Sequence, residues 1–266
     1  GAVDGASSAP VEKPRSVSQL VRRGVPAALR PQVWPLLAGL TPHDEERLME
    51  VYRELIDQES RHDKVICKDL HRTFPRHDMF KGEGQQCLHR VCSAYSIYDE
   101  ETGYYQGFSF LVASILLNLP EEETFCLLVQ IMKRLRLREL YLNDFAGLNH
   151  CIALLDELVK TTRSLSDLGE HFTNISMEHH FYADQWFLTV FTSKFPLNAV
   201  FRILDVFFDE GIEMLLKITL ALLSAAKKDL LLMNFEEALL HTLDYESMHF
   251  DLLLRTYSYR LQQHVV

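Results

Sequence analysis

Apolar residues recur at three- and four-residue spacing from Val17 almost to the end of this chain, and that periodicity constrains the fold most. Breakers are scarce. Nine Pro and eleven Gly in 266 residues are few for a sheet with many turns. No alternation of polar and apolar residues is sustained long enough to propose a strand, and no repeat of fixed period is present. The expectation is an all-α fold with no sheet, in one large domain or two tightly joined lobes. With 47% hydrophobic residues there is enough apolar surface for a sizeable core.

The helices can be placed in outline. Pro31 to Leu40 carries an apolar face of Val33, Trp34, Leu36 and Leu37. Thr41-Pro42-His43-Asp44 reads as a helix start, with Thr as N-cap, Pro in the first turn and an acid near the positive end. That helix places Leu48, Val51, Tyr52, Leu55 and Ile56 on one side. Gly82 and Gly84 mark a loop before a stripe of Cys87, Leu88, Val91, Cys92, Tyr95 and Tyr98. Phe108 to Leu119 is nearly all apolar and predicts a buried helix. Pro120 followed by Glu121, Glu122 and Glu123 restarts a helix. Leu148 to Val159 is amphipathic. Trp186 to Phe195, Ala199 to Phe208, Met214 to Ser224, Phe235 to Leu243 and Phe250 to Leu261 are further helical segments. The polar stretch from Lys160 to Asp167 is the expected lobe boundary, dividing about 17–165 from about 166–262. Residues 1–16 read as a disordered lead-in or a remnant of expression.

Composition excludes several roles. A net charge of −10 argues against nucleic-acid binding, which needs a basic stripe to meet phosphates. The five Cys are odd in number and sit in helical contexts, which suits reduced thiols in the cytoplasm. No apolar run reaches about 18 residues without charge, the length a membrane span needs. No charged stretch followed by an apolar one opens the chain, so no signal peptide is expected.

Two segments carry residue types suited to phosphoryl transfer. In the run Ile66 to Pro75, Ile66 and Leu70 share a helix face, while Asp69 and Arg72 are neighbours on another side. The helix ends near Thr73, because Pro75 disfavours helical geometry at Phe74. Arg72 then stands at a helix end, steadied by the Asp69 carboxylate. In the second segment Gly103 and Gly107 bracket Tyr104-Tyr105-Gln106, directly before the apolar helix. Gln106 sits in a tight turn on a rigid mount. An arginine neutralises charge on a transferring phosphoryl group, and a glutamine orients the attacking water. Each segment alone has an ordinary meaning: an exposed Asp–Arg ion pair in one case, a helix-capping glutamine in the other.

Taken together, the segments resemble the TBC domain of Rab GTPase-activating proteins. Arg23-Gly24-Val25-Pro26 with Leu29-Arg30 and Trp34 resembles the opening motif of that family. Ile66-x-x-Asp69-x-x-Arg72 resembles its arginine-finger motif. Tyr104-Tyr105-Gln106-Gly107 resembles its glutamine-finger motif, where the middle residue is often Cys. Gln185-Trp186-Phe187-Leu188-Thr189, with Phe191 and Pro196, resembles a structural motif. Arg202-Ile203-Leu204-Asp205 with Glu210-Gly211 is similar to another, with Leu204 where Trp is common. The resemblance spans about residues 20–262. It implies a two-lobed helical domain that accelerates hydrolysis of Rab-bound GTP, with Arg72 and Gln106 entering the nucleotide site. Asp69 would orient Arg72, Tyr105 and Gly107 would support Gln106, and Arg30, Trp34, Gln185 and Trp186 would be structural, with Arg30 and Trp34 buried and paired. The implied partner is a GTP-bound Rab. Mg²⁺ and GTP would belong to that partner, so the chain is an activator, not an enzyme, with no cofactor of its own. Membranes would be met only peripherally, through the Rab at endomembranes. A catalytically silent Rab-binding scaffold of the same fold is the alternative.

The remaining signals are weak. Cys87-x-His89-x-x-Cys92 is the densest metal-like cluster, but Cys87 and Cys92 do not align on a helix and no second ligand pair follows at zinc spacing, so no metal is expected. Cys67 with His71 lacks the surroundings of a nucleophile. No glycine-rich phosphate loop is present. Lys133, Arg134, Arg136 and Arg138 form a basic cluster that fits compensation of a helix C-terminus.

Overall fold

The computed structural model describes residues 15–244. Within them the chain runs through α1 (Arg15–Arg23), a 3₁₀ turn at Ala27–Leu29, α2 (Arg30–Ala38), α3 (Pro42–Leu55) and α4 (Asp63–Leu70). It continues through a second 3₁₀ turn at Asp78–Lys81 into α5 (Glu83–Tyr98), α6 (Phe108–Leu116) and α7 (Glu121–Lys133). A third 3₁₀ turn, Leu137–Leu140, precedes α8 (Ala146–Thr161), α9 (Ser166–Asn174), α10 (His180–Leu188), α11 (Leu197–Glu210), α12 (Glu213–Leu230) and α13 (Phe235–Leu243). The described residues contain no strand, and the fold is all-α as the periodicity requires.

Local chemistry sets many of the boundaries. Thr41 caps α3, its side chain accepting from the Asp44 N–H, with Pro42 at the first helical position. Glu121, Glu122 and Glu123 occupy the first turn of α7. Asn234 and Glu237 form a reciprocal capping box on α13. Half of α5 and almost all of α6 is buried, and α5 packs against α3, α4, α6 and α7. This pile supports the candidate site, because α4 and α6 lie on α5 and touch each other.

A second organising point lies on α11. Asp205 is fully buried and accepts from the Val25 N–H at 3.2 Å, Arg30 Nε at 3.0 Å, Trp34 Nε1 at 2.8 Å and Arg202 Nη1 at 3.0 Å. One carboxylate thereby fastens the segment from Val25 to Trp34 to α11. Leu204 beside it is fully buried.

Several expected boundaries differ. The apolar run Trp186 to Phe195 is not one helix: α10 starts earlier, at His180, and ends at Leu188. Thr189 and Thr192 hydroxyls bond to the carbonyls of Gln185 and Thr189, and Val190 and Phe191 take positive φ, so the backbone leaves the helix. Gly84 lies inside α5, where a Cβ would strike the Met79 carbonyl oxygen at 2.2 Å. The buried helix from Phe108 stops at Leu116, not Leu119. Leu36 faces away from the core at 70% exposure. The expected helix Phe250 to Leu261 lies outside the described residues.

Candidate functional site

Arg72 stands just past the end of α4. Its N–H donates to the Asp69 carbonyl at 3.1 Å, and the Thr73 hydroxyl donates to the same carbonyl at 2.7 Å. Phe74, ahead of Pro75, then turns to a φ of 43°, out of the helical region. Its ring packs against Phe80 and Phe110. The helix has already ended at Leu70, three residues before the expected end near Thr73, and Arg72 stands on the rim in the turn that follows. The guanidinium donates from Nε to Asp69 Oδ1 at 2.9 Å, and Nη2 stands 2.7 Å from the same oxygen as an ion pair. Arg72 keeps 44% of its side chain exposed, while Asp69 keeps 3%. A buried anion thus steadies one edge of an exposed cation.

The other carboxylate oxygen serves the glutamine turn. Asp69 Oδ2 accepts from the Gly107 N–H at 2.6 Å and from the Tyr104 hydroxyl at 2.9 Å. Gln106 lies between Tyr104 and Gly107, so its backbone is clamped on both sides while the residue itself is exposed. Gly107 has a φ of 95° and sits at the N-cap of α6, a conformation costly to any residue with a side chain. Burial, first of all, pushes the Tyr104 hydroxyl pKa up, so it remains a donor. A hydroxyl pair ties the same two segments again, Thr73 Oγ1 lying 2.7 Å from Ser109 Oγ. Gln106 does not cap α6, whose N-terminus has no side-chain cap bond. Tyr105, 37% exposed, meets the rings of Tyr141 at 5.9 Å and Phe145 at 5.2 Å edge-on. The Tyr141 hydroxyl donates to the Leu188 carbonyl, which joins this wall to the end of α10.

The structure brings Asp69, Arg72, Tyr105, Gln106 and Gly107 to one place. Gln185 and Trp186 are near only through the backbone. The Gln185 carbonyl accepts from Thr189, whose methyl group would lie 3.2 Å from a Cβ at Gly107. Trp186 is buried among Tyr182, Phe191 and Phe195, and its indole N–H has no partner within the described residues. Arg30 and Trp34 are bound to Asp205, not to Asp69. The Arg30 guanidinium does lie 5.9 Å from the Trp34 ring centre, but Asp205 is the acceptor for both. Sequence reasoning missed the link from Asp69 to Tyr104 and Gly107. Its only trace is a carboxylate and a glycine turn some 38 positions apart.

Other clusters resolve into ordinary roles. Cys92 is buried, Cys87 lies beside Arg90, and His89 turns to Asp63, so the Cys87–His89–Cys92 set does not converge. The basic cluster is occupied: Lys133 bonds Tyr98, Arg134 the Gly39 carbonyl, Arg136 Glu139, and Arg138 Asp99 and Glu101. Burial and Asp63 raise the Cys67 thiol above its ordinary range, unlike a nucleophile.

The described residues form an all-helical pile in which Asp69 joins Arg72 to the backbone beside Gln106. The model of the Rab-GTPase-TBC domain family matches residues 27–231, and the chain belongs to that family. It is 46% identical over 233 residues to the Rab GTPase-activating protein tbc-11 of Caenorhabditis elegans, covering 86% of this chain and 25% of that protein. It is 40% identical to the Ecotropic viral integration site 5 ortholog of Drosophila melanogaster, covering 84% of this chain and 27% of that one. The chain thus spans about a quarter of the length of these curated relatives. Among solved structures it is similar to the Chlamydomonas flagellar RabGAP TBC domain, at a TM-score of 0.77 and 26% identity, over 94% of this chain and 86% of that one.

Proposed function

We propose that this chain activates GTP hydrolysis on a GTP-bound Rab-family GTPase, supplying Arg72 and Gln106 in trans. The observation that carries this reading is the shared anchor: the two oxygens of one buried carboxylate hold Arg72 and the backbone beside Gln106. Arg72 neutralises charge on the transferring phosphoryl group, an effect worth about 10³–10⁵ in rate for an arginine finger. Gln106 orients the attacking water. Asp69 positions both and touches neither reactant. A fixed guanidinium loses less entropy on engagement than a free one, which is why the anchor matters.

GTP and Mg²⁺ come with the Rab, and this chain contributes no metal to the hydrolysis. No described helix is long and apolar enough to cross a membrane. Our reading places the chain in the cytoplasm, reaching endomembranes through its Rab. Phosphate release from a panel of GTP-loaded Rabs tests the activity. At least one Rab is stimulated far above its own rate; a panel with no responder refutes the reading.

A further inference from the structure

We propose that Asp63, Cys67 and His89 form a binding site for a zinc ion between α4 and α5, a role separate from the hydrolysis above. Asp63 is the first residue of α4, and Cys67 lies one turn further on the same face. His89 reaches them from α5. The three ligand atoms all lie within 4.8 Å of one another. Asp63 Oδ1 is 2.6 Å from His89 Nε2, and Asp63 Oδ2 is 3.7 Å from Cys67 Sγ. With metal–ligand bonds of roughly 2.0–2.3 Å, ligand atoms around a tetrahedral zinc stand about 3.4 Å apart. The cluster therefore needs side-chain adjustments of about an ångström and no movement of either helix.

The donor set selects the metal class. One sulfur, one imidazole nitrogen and one carboxylate oxygen suit zinc, whereas magnesium and calcium take oxygen shells. Asp63 is half exposed and His89 about one-third exposed, so solvent reaches the cluster and a water completes four-coordination. On binding, the Cys67 S–H bond breaks, its proton leaves to solvent, and a zinc–sulfur bond takes its place. Cys87 and Cys92, the cysteines that the local sequence pattern favoured, take no part. The site clips the first two turns of α4 to the second turn of α5. Asp69, which holds both fingers, lies at the other end of that short helix.

Cobalt(II) is the probe, since a cobalt–thiolate bond absorbs in the near ultraviolet. Titrating the 266-residue chain produces that band, saturating at one ion per chain, and zinc then abolishes it. Cys67→Ser eliminates the band, His89→Gln and Asp63→Asn weaken binding, and Cys87→Ser leaves the titration unchanged. Zinc also raises the melting temperature of the wild type but not of Cys67→Ser. Circular dichroism of each variant verifies that it is folded. An absent band at large cobalt excess, or a band that survives Cys67→Ser, overturns the site.

Discussion

Asp69 and Asp205 are both buried carboxylates that accept from several donors, and the partners around them differ in exposure. Around Asp205, Trp34 is fully buried and the side chains of Arg30 and Arg202 keep only 10% and 19% of their surface. Around Asp69, Tyr104 and the Gly107 N–H are buried, but Arg72 keeps 44%. Every charge at Asp205 is consumed inside the protein. At Asp69 one cation remains available to a partner. The same device, an acid buried under donors, serves as a fastener in one place and as a mount in the other. The difference is whether the paired arginine lies under the surface or on its rim.

The largest effect is expected where the mount presents its cation. Arg72→Ala costs about 10³–10⁵ in stimulated hydrolysis, or roughly 4–7 kcal/mol of barrier. Its melting curve shifts little, because Asp69 keeps Tyr104 and Gly107 and water enters the vacated place. Arg72→Lys fails as well, since an ammonium lacks the planar fork. Single-turnover phosphate release with a substrate Rab measures both variants. A near-wild-type rate in either one ends the distinction between mount and fastener.

Asp205→Ala comes next and acts in the opposite currency. It strands the buried Arg30 and leaves Arg202 only the Val21 and Arg22 carbonyls, which costs about 3–5 kcal/mol of stability. Hydrolysis per folded molecule stays near the wild-type value. Denaturant melts together with rates corrected for the folded fraction check this. A normal melt with a depressed rate would mean that Asp205 belongs to the mount.

Gln106→Ala is expected to lower stimulated hydrolysis by about 10²-fold, the scale of losing a reactant's alignment. The sharper form uses a Rab whose own switch glutamine is replaced. Wild-type protein still activates that Rab, and Gln106→Ala activates neither version. If the substituted Rab stays inert beside a responsive normal one, Gln106 is only a turn residue. Tyr104→Phe should have the smallest effect, removing one hydrogen bond to a charged group at about 1.5–3 kcal/mol. A fall in kcat with an unchanged KM, beside a modestly lower Tm, identifies Tyr104 as a positioning residue. An unchanged kcat leaves it structural.

Much of this was legible because it is local. The Asp69–Arg72 pair is an i, i+3 relation, and the cap at Thr41 follows from neighbouring residues. The bonds from Asp69 to Tyr104 and Gly107 were not legible, since they exist only once α5 has spaced α4 from α6. Arg30 and Trp34 could be named as buried partners, yet their common acceptor lies 175 and 171 positions away. The end of α10 was misread for a different reason. Hydrophobic periodicity continues through Phe191 and Phe195, whose rings stay in the core around Trp186 after the backbone has left the helix. Periodicity reports burial, and burial there outlasts the helix.

The distance in sequence between Arg30 and Asp205 also has a meaning in time. A chain synthesised from its N-terminus at about 5–20 residues per second exposes Arg30 roughly 9–35 s before its acid emerges. During that interval Trp34 and Arg30 have no carboxylate to receive their donors. The arginine and glutamine turns, 38 positions apart, are complete much sooner. In a nascent chain the region of Arg72 and Gln106 can therefore assemble well before the N-terminal helices find α11, and the seal at Asp205 closes later.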